Sequence, residues 1–228
     1  MISDAAGSTN LESEAVRKLA SGMTFITASA GNHGLSVAAG ARIFGAKAAI
    51  YLAASVPEEF ANRIHALDAE VVRIAGSYED SVAAAIEAAE ANGWYLLADG
   101  SWEGYTERPA LVMEGYTVLA EECRLECAKK DLWPTHVLIQ AGVGGLAAAV
   151  SGHIRDYWPA QPEIFIVEPD AAPCLMTSVQ NNQLTRVDGP ESNMGRLDCK
   201  DASLIAFQSL RTDADRFLQR SEEHTSEL

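Results

Sequence analysis

Thr24-Phe25-Ile26-Thr27-Ala28-Ser29-Ala30-Gly31-Asn32-His33-Gly34 decides the fold, because a β-rich apolar run passes through a glycine-bearing turn straight into an alanine-rich helical pattern. Strand, tight turn and helix in that order make half of a βαβ unit. Working outward, the same rhythm recurs. Strands are expected at 24–27, 48–52, 70–74, 94–97, 137–140 and 164–168, and helices at 33–44, 58–67, 78–92, 109–127 and 145–157. Gly45 and Gly93 follow the last periodic residue of a helix, where a left-handed cap is favoured. This alternation predicts an α/β chain of three αβα layers with parallel sheets.

The chain has 228 residues, 48% of them apolar, with mean hydropathy near zero, which suits one large or two small globular domains. A formal charge of -15 argues against a nucleic-acid partner, whose affinity would come from Lys and Arg neutralising phosphates. Apolar runs such as 46–54 are far shorter than the roughly 20 residues of a membrane span. No charged segment leading into an apolar one opens at Met1, so the expected compartment is the cytoplasm. Cys123, Cys127, Cys174 and Cys199 read as reduced, small hydrophobic residues, and His65, His136 and His153 share no metal-ligand spacing.

Apolar periodicity lapses over 128–135, which predicts a seam there. The expected organisation is a polar segment at 1–22 with a short helix over 12–20, a small α/β domain at 23–128, and part of a larger one at 129–219. Residues 181–200 read as a long loop. The tail at 220–228, Arg-Ser-Glu-Glu-His-Thr-Ser-Glu-Leu, resembles a translated sequencing adapter and is expected to be non-native.

Two turns carry the chemistry. In Ser29-Ala30-Gly31-Asn32-His33-Gly34 the first helical amides have no intrahelical acceptor and point at whatever lies above the helix start, which makes an anion pocket. Asn32 adds a side-chain donor and acceptor. In Gln140-Ala141-Gly142-Val143-Gly144-Gly145-Leu146 the glycines let main-chain donors and the helix dipole cradle a phosphate. The nucleotide fingerprint G-x-G-x-x-G fails here, since Ala147 stands where the third glycine belongs.

Together the two turns resemble those of fold type II, tryptophan synthase β-like, pyridoxal-phosphate enzymes. Asp99-Gly100-Ser101-Trp102-Glu103-Gly104-Tyr105 and Thr135-His136-Val137-Leu138-Ile139-Gln140-Ala141-Gly142-Val143-Gly144 are similar to segments of the diaminopropionate ammonia-lyases in that class. Val167-Glu168-Pro169-Asp170 also fits, as do Met194, Leu197, Asp198 and Cys199, whereas Gly195, Arg196 and Lys200 depart from the family pattern. The resemblance covers roughly 23–210. It implies pyridoxal 5'-phosphate as cofactor, with Asn32 on the ring hydroxyl and Gly142, Val143, Gly144 and Gly145 on the phosphate. Ser29, Ala30, Gly31 and His33 would hold the substrate carboxylate. The implied reaction expels ammonia from 2,3-diaminopropionate to give pyruvate, in a homodimer. Ala30 replaces a family aspartate, so one substrate antipode should be preferred.

Asp99 reads either as a turn aspartate bonding its own backbone or, given the resemblance, as the base that takes the α-proton. His33 is either a substrate contact or a packing residue. Trp102 and Tyr105 are either pocket wall or core, and Glu168 either reaches the cofactor region or pairs with a cation. The family's Schiff-base lysine lies well before the Asn loop, in a segment this chain lacks, as it lacks the part that holds the ring nitrogen. The fold is therefore expected to be incomplete and the chain inactive. A threonine or serine dehydratase-like enzyme, a non-catalytic ligand-binding protein and a nucleotide-dependent enzyme are the competing readings.

Overall fold

The computed structural model describes residue 7, residue 10 and residues 13–221, which fall into two compact units, Met1–Ala98 and Asp99–Leu228. The first unit runs α1 (Glu14–Ala20), β1 (Thr24–Ala28), α2 (Asn32–Phe44), β2 (Lys47–Ala53), α3 (Glu58–His65), β3 (Glu70–Ile74), α4 (Tyr78–Asn92) and β4 (Tyr95–Leu96). Its strands pair in parallel in the order β3-β2-β1-β4, with Phe25 in register with both Ala48 and Tyr95. Parallel strands are covered on both faces and so read as continuous apolar runs. Ile26, Ile50 and Leu52 are accordingly buried, each contributing roughly 1.5–3 kcal/mol. The chain lays β2 and β3 on one side of β1 and then crosses to place β4 on the other. The C-terminal ends of β1 and β4 therefore form a topological switch point, where open α/β sheets bind ligands.

Sequence periodicity anticipates these elements to within a few residues. The N-terminal segment is not merely polar, however. Ser13 caps α1 by accepting from the Val16 amide at 3.3 Å, and Val16 and Ala20 are fully buried.

The second unit runs α5 (Glu107–Lys130), β5 (His136–Gln140), α6 (Gly145–Tyr157), β6 (Glu163–Pro169), α7 (Cys174–Gln180), α8 (Leu204–Asp213) and β7 (Arg216–Arg220). Its strands are parallel in the order β5-β6-β7. Ile139, Ile164 and Ile166 pack with Ala147, Ile154 and Leu210 in one core.

Three expectations change. The division lies after Ala98, not at 128–129, because α5 packs on α6: Ala120 is buried in the second core, and Glu121 reaches His153 at 3.1 Å. The helix runs on to Lys130, so the expected seam begins inside it. Arg220, the first residue of the expected tail, closes β7 opposite Pro169, and its carbonyl accepts from the Asp170 amide at 3.0 Å. Residues 222–228, the rest of the expected tail, lie outside the described residues.

The long loop forms no helix or strand, but it is pinned. The Lys200 ammonium donates to the Ala171 and Pro190 carbonyls, each at 2.9 Å, and pairs with Asp198 at 2.6 Å. Among the described residues no helix is long and apolar enough to cross a membrane.

Candidate functional site

At the switch point of the first unit, β1 ends and the turn Ser29–His33 begins. The Gly31 amide donates to the Ser29 hydroxyl at 3.2 Å, and α2 starts at Asn32 with no side-chain cap and no acidic residue in its first turn. Gly34 is required by close approach, since a Cβ there would sit 2.0 Å from the Ser29 carbonyl oxygen. Asn32 is exposed, Ser29 and Gly31 are partly buried, and Ala30 is buried. The His33 ring is buried and makes a 2.7 Å hydrogen bond with the Leu97 carbonyl, tying the start of α2 to the residue after β4. That bond occupies Nε2 in holding the two loops of the switch point together.

In the second unit, β5 delivers the chain into Gly142-Val143-Gly144-Gly145. Gly144 is the N-cap of α6 at φ 103°, a conformation that L side chains rarely adopt. Among the described residues the amides of Gly142, Val143, Gly144 and Gly145 donate to no other protein group. The first intrahelical bond of α6 runs from Ala148 to Gly144, so Leu146 and Ala147 add two further amides with no helical acceptor. No acidic residue stands in that first turn. The back of the turn is packed tightly. A Cβ on Gly142 would lie 3.0 Å from the Cys199 sulfur, and one on Gly144 would lie 2.9 Å from Leu175 Cδ1. Neighbours thus fill the space where side chains would project at Gly142 and Gly144, and a run of amides without a protein acceptor fits a phosphate group.

Asp99 belongs to the same unit and lies beside this turn. Its carbonyl oxygen is 3.6 Å from where a Cβ on Gly145 would stand, and Met113 and Tyr116 of α5 border the same spot. Burial, and after it the Asp99 charge, raises the Tyr116 phenol above its ordinary value, which places the carboxylate within electrostatic reach of that ring. Sequence reasoning missed Tyr116. Its signal was helical spacing with Met113 and Ala120, which puts all three on the inward side of α5.

Other expectations resolve differently. Trp102 and Tyr105 stack with centroids 4.4 Å apart on the tight turn they flank, and neither belongs to a hydrophobic core. Among the described residues Glu168 pairs with no cation. Its buried carboxylate accepts from the Leu175 and Met176 amides, each at 2.8 Å, and burial pushes its pKa up to about 7. Burial, followed by the negative neighbour Glu168, pushes the Cys174 thiol far up as well, so it is an inert core residue, whereas Cys123 is exposed. Among the described residues no cluster of His, Cys, Asp and Glu could hold a metal. Of the lysines, Lys18 and Lys47 are exposed, Lys129 and Lys130 pair with Glu126, and Lys200 is fully engaged.

Known proteins are similar to this chain. The chain is 36% identical over 198 residues to diaminopropionate ammonia-lyase of Escherichia coli (strain K12), covering 86% of this chain and 50% of that protein. It is 29% identical over 200 residues to L-threonine ammonia-lyase of Geobacter sulfurreducens, covering 87% of this chain and 46% of that protein. The chain thus spans about half the length of the curated relatives it matches. The solved holo diaminopropionate ammonia lyase from Escherichia coli superposes with a TM-score of 0.81 at 36% identity, over 87% of this chain and 50% of that one. A solved threonine deaminase from T.th., at 24% identity and a TM-score of 0.77, shares the fold over 88% of this chain and 62% of its own. A family model described as pyridoxal-phosphate dependent enzyme matches residues 5–228. The chain belongs to the pyridoxal-phosphate dependent enzyme family.

Proposed function

We propose that this chain is the cofactor-phosphate and proton-abstraction half of a lyase that expels ammonia from 2,3-diaminopropionate to give pyruvate. The observation that carries this reading is the juxtaposition of the Gly142–Gly145 amides with the Asp99 segment in one unit. Gly142, Val143, Gly144 and Gly145 would hold the cofactor phosphate through main-chain donors and the dipole of α6. Asn32 would contact the ring hydroxyl, while the amides that open α2, with Ser29, Ala30, Gly31 and His33, would hold the substrate carboxylate. When bound, pyridoxal phosphate supplies the electron sink that stabilises negative charge at the substrate α-carbon. Asp99, whose carbonyl oxygen lies 3.6 Å from where a Cβ on Gly145 would stand, would accept the proton from that carbon. With Ala30 in place of a second acid, one antipode of the substrate is preferred. A homodimer and a cytoplasmic location are part of the same reading. Because the described lysines are exposed or engaged, the 228-residue chain would hold the cofactor by its phosphate and not turn substrate over.

Pyridoxine 5'-phosphate tests the seat directly, since it has the ring and phosphate but no aldehyde to react with surface lysines. The chain should bind it at least about tenfold more tightly than pyridoxine. Equal affinity for the two compounds overturns the phosphate assignment. A chimaera in which this chain replaces the matching half of the Escherichia coli relative tests the chemistry. It should release pyruvate from 2,3-diaminopropionate, and Asp99→Asn should slow it by about 100-fold or more. A chimaera that binds the cofactor and acts only on threonine or serine overturns the substrate assignment.

A further inference from the structure

Ser203 is the N-cap residue of α8, yet its hydroxyl does not cap that helix. It accepts instead from the Ser101 amide at 3.0 Å and lies 2.7 Å from the Ser101 hydroxyl. Ser101 does the capping. Its hydroxyl accepts from the Ile205 amide at 3.0 Å, and its carbonyl accepts from the Leu204 amide at 2.9 Å. The first-turn donors of α8 are thus satisfied by a residue 102 positions away from the N-cap, and both serines are buried.

The same clamp reaches the phosphate seat. The Ser203 amide donates to the Val143 carbonyl at 2.9 Å. The Val143–Gly144 peptide is planar and trans, so its N–H leaves the edge opposite its C=O. Fixing the Val143 carbonyl therefore fixes the direction of the Gly144 N–H, one of the donors left over for a ligand. At the other end, Ser101 lies two residues past Asp99, whose carbonyl oxygen is packed on Gly145. Three segments distant in sequence are therefore joined in series: 99–101 to 203–205 through the two hydroxyls, and 203–205 to 142–145 through the Ser203 amide.

We propose that Ser101 and Ser203 are positioning residues, whose buried hydroxyl pair locks the Asp99 segment to the Gly142–Gly145 turn so that occupation of the phosphate seat and placement of the Asp99 carboxylate are coupled. The inference rests on the reading of that turn as the phosphate seat. A purely structural pair would stabilise the unit and leave ligand affinity and its transmission untouched.

Hydrogen–deuterium exchange on the wild-type chain, with and without saturating pyridoxine 5'-phosphate, separates the cases. Coupling slows exchange at 141–148 and also at 99–105. Slowing confined to 141–148 overturns the coupling while leaving the phosphate seat in place. No slowing at 141–148 removes the seat itself, and the coupling with it. Ser203→Ala should then weaken pyridoxine 5'-phosphate binding about tenfold and abolish the effect at 99–105, whereas Ser203→Thr, which keeps a hydroxyl, should stay within about twofold of wild type. A Ser203→Ala protein with a lowered melting midpoint but unchanged affinity also overturns the proposal. If that variant does not fold, the wild-type exchange pattern decides alone.

Discussion

Replacing Glu168 by glutamine should change how stability depends on pH, with a sign fixed by burial. The Glu168 side chain is 1% exposed, and its pKa rises from 4.5 to about 7, desolvation outweighing the two amide bonds it accepts. In the unfolded chain the carboxyl loses its proton near 4.5, so between roughly pH 4.5 and 7 the folded state holds a proton that the unfolded state has lost. The stability contributed by this group is greatest below 4.5 and declines as pH rises through about 7. The total decline is about 3 kcal/mol, of which about 2 kcal/mol falls between pH 5.5 and 8. Asp215 and Glu121 work in the opposite direction, because their pKa values are lowered, first by the Ile164 amide and by Arg124 respectively. Their contributions are lost only as pH falls below the ordinary carboxylate range, so they are constant across the chosen window. Glutamine does not titrate, but it offers one acceptor oxygen to two amides, which costs about 1–3 kcal/mol at every pH. Urea unfolding followed by circular dichroism should therefore show Glu168→Gln below wild type at pH 5.5, with the gap narrowing by about 2 kcal/mol at pH 8. Stability curves that run parallel from pH 5.5 to 8 would refute the argument that Glu168 is buried and reluctant to ionise.

Gly144→Ala should cost about 2–4 kcal/mol in urea unfolding, from the strained φ and from overlap with Leu175, and should weaken pyridoxine 5'-phosphate binding; a loss under about 0.5 kcal/mol would mean that the turn relaxes freely. Asp99→Asn should lower the Tyr116 pKa without returning it to the ordinary value, because burial remains the larger cause. Tyrosinate absorbance of wild type and variant, each compared with its Tyr116→Phe counterpart, reads that shift, and identical Tyr116 titrations would place Asp99 farther from the ring.

Much of the fold was legible because its signals are local. A parallel strand such as Ala48–Leu52 is an apolar run, a helix such as α4 carries its own Ser77–Asp80 capping box, and Gly45 and Gly93 close their helices in the left-handed form. The two glycine-bearing helix starts were legible for the same reason, with Gly31 and Gly144 standing as the N-caps of α2 and α6. What escaped depends on distant partners. The membership of α5 in the second unit is set by Ala120 and Glu121 meeting α6, and nothing near 128 announces it. The polar strand Arg-Phe-Leu-Gln-Arg of β7 lies next to the tail set aside as foreign, and only its ladder with β6 identifies it. For Glu168 the sequence offers a cofactor-region contact or an ion pair, because the amides that open α7, which it meets in the structure, leave no mark on side-chain chemistry.

How the other helix starts are satisfied shows why α2 and α6 stand apart. In a chain of net charge -15, acidic residues are plentiful, and placing one in the first helical turn is favourable by the dipole. Four described helices do so: α1 with Glu14, α3 with Glu58 and Glu59, α4 with Glu79 and Asp80, and α5 with Glu107. Two others lack a first-turn acid but borrow an acceptor, α7 from Glu168 and α8 from Ser101. Only α2 and α6, among the described helices, begin with a glycine N-cap, no acid and no side-chain acceptor. An acidic residue at either start would compete with an incoming phosphate or carboxylate for the same amides and repel it besides. Chance depletion is a poor account of two vacant starts that both follow a parallel strand at its C-terminal end, where α/β sheets hold their ligands. The shared content of the two motifs is a glycine N-cap with no acid in the first helical turn, and only the α2 start spends a donor locally, the Gly31 amide on the Ser29 hydroxyl.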